Sequence, residues 1–484
     1  MLDFIVDNIW PLLVGLNYLL AISAAFIILF KNINPIKTLT YITILVFLPF
    51  FGLVVYYFFG QEYRKNKIFN RKHILNKKVV KNINKELELN TTEKKHLTKI
   101  LSDKVKLVKL LYNNDESPLT IVNDVQILKN GEEKFKFLLE DLEKAKHHIH
   151  LEYYIFKDDE IGSKVIDLLC KKAQEGVKVK ICLDDVGSKL SAKSKKKLKN
   201  SGVEYYFFMP VFFPSFAGKM NYRNHRKIAV IDGLIGYLGG INISDEYINP
   251  SSANFYWRDT HIRIEGEAVK PLQINFFMTW NFVTKDSLVI SKEYFPESKI
   301  KNEIPIQIAA SGPDTDWANI MEVLLMALVT AKDYVYITTP YFIPNSEFIL
   351  AMQMAAKSGV EVKLIIPATS DSWSAKYATN SYVTPLLEAG IKIYRYEKGF
   401  IHAKTVVVDD MFATVGTSNM DYRSFKINFE INALLYNEEQ SKILKSHFNQ
   451  DLKHCREVNL NKWEKRPLTA KFQESVCRLL APLL

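Results

Sequence analysis

Cysteine is scarce in this 484-residue chain: there are four, with no Cys-x-x-Cys pair and no close spacing. This pattern is not that of a small scaffold held together by disulfides. It fits a reducing compartment, and we interpret all four as packed thiols. They are Cys170, Cys182, Cys455 and Cys477.

Charge is absent from two long stretches near the N-terminus, Ile9 to Phe30 and Thr38 to Phe59. Each stretch reaches the ~20 residues that a helix needs to cross the hydrocarbon core of a bilayer. Only residues 31–37 separate them, and they contain an Asn-Pro turn signal, so we predict a tight transmembrane hairpin. A cleavable signal peptide is disfavoured, because no basic segment precedes the first stretch and a second stretch follows at once.

Basic residues are distributed unevenly around this hairpin, which predicts its orientation. Lys31 and Lys37 lie in the short loop, whereas a larger cluster follows the second stretch. The positive-inside rule places the larger cluster in the cytoplasm, so we expect a multi-pass protein of the cell membrane with its remaining chain cytoplasmic. The cluster comprises Arg64, Lys65, Lys67, Arg71, Lys72, Lys77 and Lys78.

The net charge of the chain is +11, which suits either an anionic membrane surface or nucleic acid. Residues 61–116 are rich in Lys, Asn and Glu, with leucines at helical spacing. We predict a basic juxtamembrane linker and helix there, after a transmembrane segment spanning residues 1–60. A solvated connector and attraction to anionic lipid headgroups are both compatible with this composition.

The rest of the chain contains an internal repeat of roughly 180 residues. HIHLEYYIFKDD, from His148, resembles VYITTPYFIPN, from Val335, and GVKVKICLDD resembles GVEVKLIIPA. NHRKIAVID, which contains His225, likewise resembles FIHAKTVVVD, which contains His402. The order and spacing of these segments are preserved, which indicates a duplicated unit.

Within each unit, runs with strand character alternate with amphipathic helical ones. AKHHIHLEYYIF, GSKVIDLLCKKAQEG and VKVKICLDD indicate strand, helix and strand, and the second unit repeats this order. Such alternation implies parallel strands joined by crossover helices. We therefore predict an α/β fold of two similar lobes, residues 117–300 and 301–484, which form one bilobal catalytic unit.

A His-x-Lys-x4-Asp motif occurs once in each repeat. Each motif is followed by a turn of small residues that ends in Asn. Two copies in register within a repeat are much stronger evidence than one. The six candidate catalytic residues are His225, Lys227, Asp232, His402, Lys404 and Asp409, and the turns run from Gly239 to Asn242 and from Gly416 to Asn419.

The spacing within the motifs predicts which side chains share a surface. Alternate residues of a strand face the same side, so each histidine is expected beside its lysine. The runs IAVI and TVVV that follow the lysines are typical of buried strands. Asp232 and Asp409 lie an odd number of positions from their histidines, so we expect them at the strand ends, in a structural role and out of contact with the imidazoles.

These residue types suit phosphodiester chemistry. A histidine can attack phosphorus and hold a covalent phosphoryl group, while a second histidine protonates the leaving alcohol. Lys227 and Lys404 supply positive charge, and Asn242 and Asn419 can donate to phosphate oxygens. No dense carboxylate cluster lies nearby, so neither a metal nor another cofactor is expected.

The paired motifs resemble those of the phospholipase D superfamily, whose members have a bilobal fold with the active site between duplicated halves. In that family a carboxylate from a following segment orients each catalytic histidine. The resemblance implies this role for Glu430, in the segment NFE, and for Asp259, in the segment WRDTH. It also implies that His225 is the nucleophile and His402 the general acid, although the residues alone do not rank them.

The resemblance narrows to the bacterial cardiolipin synthases and covers nearly the whole chain. It includes the hairpin ending in YFFG, both motifs, the segment WRDTHIRIEG and the terminal RLLAPLL. It implies a phosphatidyltransferase that joins two phosphatidylglycerols into cardiolipin and releases glycerol, at a membrane with anionic lipids.

Three other functions remain open at this point. A hydrolytic phospholipase D would use the same chemistry with water as the acceptor. A nuclease of the same superfamily is disfavoured by the hairpin and by the lack of a recognised nucleic-acid module, so no nucleic-acid partner is expected. A catalytically inactive scaffold is disfavoured because both motifs are intact. The phosphatidyl donor and acceptor and the oligomeric state also stay open.

Overall fold

The structure is a computed structural model that describes most of the chain. It forms two compact units: the helices between residues 9 and 53, and the part from residue 83 onward. The described residues are 9–30, 35–48, 50–53, 83, 87, 101–210, 222–249, 255–284, 290–479 and 481.

The first unit consists of helices α1 (Ile9–Phe30) and α2 (Pro35–Phe47), followed by helical residues 50–53. Ala21, Ala24 and Ile28 of α1 pack against Leu45 of α2, while most large apolar side chains of α1 are exposed. A helix that is apolar all round and exposed is suited to lipid. Within the described part, only α1 has the length and composition to span a membrane. The predicted second span continues into residues 54–59, which lie outside the described residues.

The predicted linker, residues 61–116, is described mainly at its end. A 3₁₀ turn (Ser102–Lys104) leads there into α3 (Val105–Asp115). Leu107 and Leu111 of α3 are fully buried in the core of the second lobe, so this helix packs on the catalytic unit. Most of residues 61–100 lie outside the described residues.

The first lobe alternates strands and helices, as the sequence predicts. Two 3₁₀ turns occur at Asp245–Tyr247 and Lys292–Tyr294. The elements are β1 (Leu119–Lys129), α4 (Asn130–Lys144), β2 (His148–Tyr153), α5 (Glu160–Gln174), β3 (Lys178–Asp184), α6 (Ala192–Asn200), β4 (Glu204–Phe208), β5 (Lys227–Ile231), β6 (Ile235–Gly239), β7 (Tyr256–Arg258), β8 (Thr260–Gly266) and α7 (Val269–Thr284).

The second lobe repeats this order and adds elements at its C-terminal end. They are β9 (Glu303–Ser311), α8 (Asn319–Val329), β10 (Tyr334–Thr338), β11 (Phe342–Ile343), α9 (Ser346–Lys357), β12 (Glu361–Pro367), α10 (Trp373–Ser381), α11 (Val383–Glu388), β13 (Lys392–Tyr396), β14 (Gly399–Ile401), β15 (Thr405–Val408), β16 (Phe412–Gly416), β17 (Met420–Asp421), α12 (Tyr422–Lys426), β18 (Glu430–Leu435), α13 (Glu438–Leu452), β19 (Cys455–Glu457), α14 (Leu460–Glu464) and α15 (Leu468–Leu479).

The two lobes share one sheet of 15 strands. Its order is β19-β13-β12-β10-β15-β16-β18-β9-β1-β8-β6-β5-β2-β3-β4, so the same succession of strands runs outward from the centre in both directions. The predicted parallel pairs are present, β2 with β3 and β10 with β12. The lobes join where β1 pairs antiparallel with β9, which leaves neither strand as an open edge.

Side chains of the motif strands alternate between two cores. All residues of β5 and β15 are buried, which confirms the strands predicted from IAVI and TVVV. Ala229 and Ile231 of β5 face the first lobe's helices, whereas Ile228 and Val230 face a core that extends across both lobes. Burial of each of the larger side chains, Ile228, Val230 and Ile231, contributes about 1.5–3 kcal/mol, so burial stabilises this motif strand.

Candidate active site

Short backbone pairings between the lobes hold the two histidine segments. The N–H of His225 donates to the carbonyl of Phe429 at 3.0 Å, and the N–H of His402 donates to the carbonyl of Arg258 at 2.7 Å. In the second case β14 also pairs in parallel with β7 of the first lobe. Each histidine therefore lies just before its motif strand and is anchored to the opposite lobe.

The next residue after each of these two carbonyls carries a carboxylate that binds the imidazole. Nδ1 of His225 lies 3.0 Å from both carboxylate oxygens of Glu430, and Nδ1 of His402 lies 2.7 Å from Oδ2 of Asp259. Both carboxyl groups are buried. A carboxylate only accepts hydrogen bonds, so each Nδ1 carries the proton and each Nε2 keeps a free lone pair.

Each motif lysine lies beside the histidine of its own motif. Nζ of Lys227 donates to the carbonyl of His225 at 2.7 Å, and Nζ of Lys404 donates to the carbonyl of His402 at 2.5 Å. This bond folds each ammonium back beside its own histidine, in agreement with the predicted pairing on one surface. Both lysines are buried, and each still has ammonium protons to offer to an anion.

Burial and mutual repulsion shift the titration of all four groups. Burial is the main cause that lowers the pKa of His225 to about 4 and that of His402 to about 3. Burial also lowers the pKa of Lys227 to about 7 and that of Lys404 to about 8, and the charge of Lys404 lowers Lys227 further. Each motif lysine also lowers the pKa of the other motif's histidine, so the two motifs act on each other, and both imidazoles are neutral at pH 7.

Glu430 stays ionised in spite of its burial. Burial alone would raise the pKa of Glu430, but His225 and Lys227 outweigh it and hold the pKa below its ordinary value. An ionised Glu430 can stabilise the positive charge that forms on His225 when this imidazole becomes bonded to phosphorus or protonated.

Aromatic rings enclose the two histidines unequally. The Tyr154 ring lies edge-on to His225 with centroids 5.0 Å apart. His402 is surrounded by Trp257 at 5.4 Å and by Tyr247 and Phe400, each at 5.9 Å. These rings exclude water around His402, in agreement with its lower pKa.

The motif aspartates lie at the other end of the motif strands. The carboxylate of Asp232 accepts the backbone N–H groups of residues 146, 147 and 148 at 2.7–2.9 Å, where β2 begins. Asp409 accepts those of residues 332, 333 and 334 before β10, and it pairs with Lys104 at 2.9 Å. Both have a positive φ, 54° and 52°. Neither has a hydrogen bond to the imidazole of His225 or His402 among the described contacts, as the odd spacing predicts.

The asparagines of the two turns bond within the protein. Asn242 is buried; its Oδ1 accepts the N–H of Ile155 at 3.1 Å and its Nδ2 donates to the hydroxyl of Tyr247. Oδ1 of Asn419 is buried and has no hydrogen-bond partner among the described residues. The role in phosphate binding that the sequence suggests for them remains a prediction.

The two turns support the two carboxylates in different ways. A Cβ at Gly240 would lie 2.1 Å from Oδ1 of Asp259, so any larger residue would displace the group that holds His402. The corresponding residue of the second lobe is Thr417, whose hydroxyl accepts the N–H of Ile431 at 2.9 Å and helps to lower the pKa of Glu430.

A buried charged pair lies behind His225. Asn224 donates to Oε1 of Glu152 at 2.7 Å, and the Arg226 guanidinium lies 3.8 Å from that oxygen. Burial raises the pKa of Glu152 although Arg226 opposes the shift. When the motif strands of the two lobes are aligned, Glu152 corresponds to Thr338 and Arg226 corresponds to Ala403. The second lobe therefore lacks this charged pair.

Sequence reasoning missed several residues next to the site. Asp421, whose pKa burial and the charge of Glu430 raise to about 6, opposes the lowering of the pKa of Lys404. Tyr154 and Trp257 line the two imidazoles. The signals were weak: Tyr154 directly follows the repeated strand β2, and Trp257 precedes Asp259 by two positions. Among the described residues, no three His, Cys, Asp or Glu side chains are grouped as metal ligands.

A duplicated α/β fold with a His–Lys pair in each lobe, each histidine bound by a carboxylate of the other lobe, is that of a phospholipase-D-type protein. The solved phosphatidylserine synthase of Haemophilus influenzae has this fold, with a TM-score of 0.60 over 78% of this chain and all of that chain. Its identity of 16% shows the fold alone.

Sequence comparisons define the family within this class. The family description "Cardiolipin synthase, PLD-like domain" matches residues 138–265 and 324–452, and "Phospholipase_D-nuclease N-terminal" matches residues 19–61. A cardiolipin synthase of Alkalihalophilus pseudofirmus is 39% identical over 96% of this chain and 92% of that protein. Cardiolipin synthase 2 of Staphylococcus epidermidis is 41% identical over 96% of each chain. The chain belongs to the cardiolipin synthase family.

Proposed function

We propose that this chain transfers the phosphatidyl group of one phosphatidylglycerol to the headgroup hydroxyl of a second, forming cardiolipin and releasing glycerol. The observation that carries the proposal is the pair of histidines, each bound at Nδ1 by a carboxylate of the opposite lobe. Membership of the cardiolipin synthase family supports phosphatidyl transfer as the reaction.

The first half of the reaction forms a covalent intermediate. Nε2 of His225 attacks phosphorus, the bond to the glycerol oxygen breaks, and that oxygen takes a proton from His402. Since both imidazoles are neutral at pH 7, His402 must first take up a proton from solvent, which the negative charge of the entering phosphate favours. Lys227 and Lys404 stabilise the charge of the phosphate oxygens in the transition state.

The second half reverses the proton transfer. His402, now neutral, removes the proton from the glycerol hydroxyl of the second phosphatidylglycerol, whose oxygen attacks phosphorus as the bond to His225 breaks. The aromatic residues around His402 disfavour water as the acceptor, because they desolvate the place where the acceptor hydroxyl binds.

The proposal is tested with headgroup-labelled phosphatidylglycerol in vesicles. The wild-type chain should release glycerol and form cardiolipin in equal amounts, and His225→Asn and His402→Asn should abolish both. Release of phosphatidic acid in place of cardiolipin would make the chain a hydrolase. No turnover of any phospholipid would reject the proposal.

The two histidine roles are separated by a substrate with a good leaving group. A p-nitrophenyl phosphatidyl ester needs no general acid for departure, so His402→Asn should still form the intermediate and then fail to activate an acceptor. We expect mass spectrometry to find the phosphatidyl group on His225 in this variant and none in His225→Asn. The reverse pattern, with the adduct on His402, would exchange the roles.

We also propose that the protein is a multi-pass membrane protein with a cytoplasmic catalytic unit. The hairpin would occupy residues 1–60 and the linker 61–116, with lobes at 117–300 and 301–484. The exposed apolar surface of α1 and the basic residues after the second stretch support this arrangement. Accessibility labelling in intact cells tests it: a catalytic unit labelled from outside would contradict the orientation.

A further inference from the structure

Helix α15, at the C-terminal end of the second lobe, is docked on the catalytic unit by one face only. Cys477 is fully buried in the core of the second lobe, and Glu474 is buried beside Arg466, with which it pairs. The same face continues to Ala481, which is buried in that core. Helix α10 packs along α15, so the docked face has protein neighbours.

The opposite face of α15 is apolar and exposed. Its side chains follow one another at intervals of four, four and three residues, which places them on one stripe of a helix. Exposed cations, Lys471 and Arg478, lie beside this stripe. The stripe consists of Leu468 (82% exposed), Phe472 (69%), Val476 (40%) and Leu479 (81%).

A lipid bilayer is the occupant that fits this face. An exposed apolar stripe costs free energy in water, and a helix with such a stripe beside basic residues is suited to the plane of a membrane interface. The stripe would lie among acyl chains while Lys471 and Arg478 reach anionic headgroups. A membrane is also where a diacyl substrate is found.

The neighbouring helix connects this face with the active site. Trp373, at the start of α10, is 60% exposed, and Asp371 just before it binds the hydroxyl of Tyr341 at 2.6 Å. The Tyr341 ring lies 6.5 Å from that of Phe400, which in turn lies 5.9 Å from His402. A chain of contacts through the start of α10 thus links the helix that packs on α15 with the aromatic wall of the site.

We propose that α15 lies in the membrane interface with its stripe (Leu468, Phe472, Val476, Leu479) among the lipids and holds the catalytic site against the bilayer. A transmembrane helix attaches the catalytic unit to the membrane without deciding which surface faces it. The stripe on α15 supplies that orientation. The proposal goes beyond phosphatidyl transfer, since it would hold for any reaction at this site.

The first test measures the depth of α15 without relying on turnover. A fluorophore is attached at Phe472→Cys in the full chain with Cys455→Ser, because the other three native cysteines are buried. In phosphatidylglycerol vesicles containing nitroxide-labelled lipid, we expect strong quenching at position 472. The control label is at Leu234→Cys, an exposed residue in the turn between β5 and β6, at the end of β5 away from His225, and it should be unquenched.

Two outcomes would overturn the proposal. Equal, weak quenching at positions 472 and 234 would mean that α15 stays in water. Cross-linking of two chains through position 472 in the same vesicles would mean that a second copy covers the stripe.

The second test uses turnover. Phe472→Ser with Leu479→Ser should lower the rate on vesicles by about tenfold or more, because two large apolar groups no longer enter the bilayer. The rate on monomeric short-chain phosphatidylglycerol should stay within about twofold. The matched control, Leu234→Ser with Val329→Ser, removes exposed apolar groups elsewhere and should leave both rates unchanged. Equal losses on both substrates would overturn the proposal and indicate a packing role for α15.

Discussion

Nδ1 of His225 lies 3.0 Å from the carboxylate of Glu430, although 205 positions separate the two residues in the chain. His402 has the equivalent contact with Asp259, 143 positions before it. Each lobe thus provides a histidine for its own motif and a carboxylate for the other one. Neither lobe holds a complete histidine–carboxylate pair, so the two copies of the duplicated unit depend on each other for this contact.

Removal of either cross-lobe carboxylate should reduce turnover strongly. In Glu430→Gln or Asp259→Asn the bound histidine is free to take the other tautomer, and its positive form loses a charged partner. We expect kcat to fall by about 10²–10⁴-fold with the fold intact. Steady-state kinetics and circular dichroism measure this. A kcat near the wild-type value in either variant would show that the contact has no part in the chemistry.

The pH dependence of kcat/KM should reflect the groups of the free site. In the proposed mechanism His402 must be protonated, and its pKa in the free site is about 3, so kcat/KM should already fall with rising pH above about 4. Lys227 and Lys404 must also be charged, which is true below about 7 and 8, so we expect this decline to become steeper as pH rises through about 7–8.

The control is the pH profile of kcat, which reports the site with a substrate phosphate bound. Its negative charge raises the pKa of both lysines, so the alkaline decline of kcat should lie at higher pH than that of kcat/KM. Identical alkaline limbs in the two profiles would contradict the assignment to the lysines.

The motif aspartates should contribute to stability more than to chemistry. Asp232→Ala removes the acceptor of three backbone N–H groups, so we expect the free energy of unfolding to fall by about 3 kcal/mol or more. Asp232→Asn keeps one acceptor oxygen and tolerates the positive φ, so its loss should be smaller. Denaturant unfolding and kcat at low temperature are the measurements. Unchanged stability with lost turnover would place Asp232 in the chemistry after all.

Removing one member of the buried Glu152–Arg226 pair should lower the free energy of unfolding more than replacing both members. Arg226→Ala leaves Glu152 buried without its cation, so we expect a loss of about 3–5 kcal/mol in the free energy of unfolding. The double variant Glu152→Thr with Arg226→Ala reproduces the residues of the second lobe, Thr338 and Ala403, and should recover much of that loss. A double variant no more stable than the single one would show that the pair itself is required.

Much of the site follows from the sequence because its determinants are local. The period of two in a strand places each lysine beside its histidine and turns each motif aspartate away. The apolar stretch from Ile9 to Phe30 is long enough for a membrane span whatever its neighbours are. The repeat predicts the order of strands and helices in both lobes, since each unit has the same alternation.

The tertiary structure alone decided how the lobes complete each other. The resemblance indicated Glu430 and Asp259 as the orienting carboxylates, but no local pattern says which histidine each one binds. The pairing over 143 residues depends on how β7 meets β14, and the pairing over 205 residues depends on how the backbone of Asn224 meets that of Phe429. The buried Glu152–Arg226 pair was equally invisible, since charged residues on a strand are ordinarily exposed. The sequence by itself determined which residues can do the chemistry, and packing between the lobes determined which of them work together.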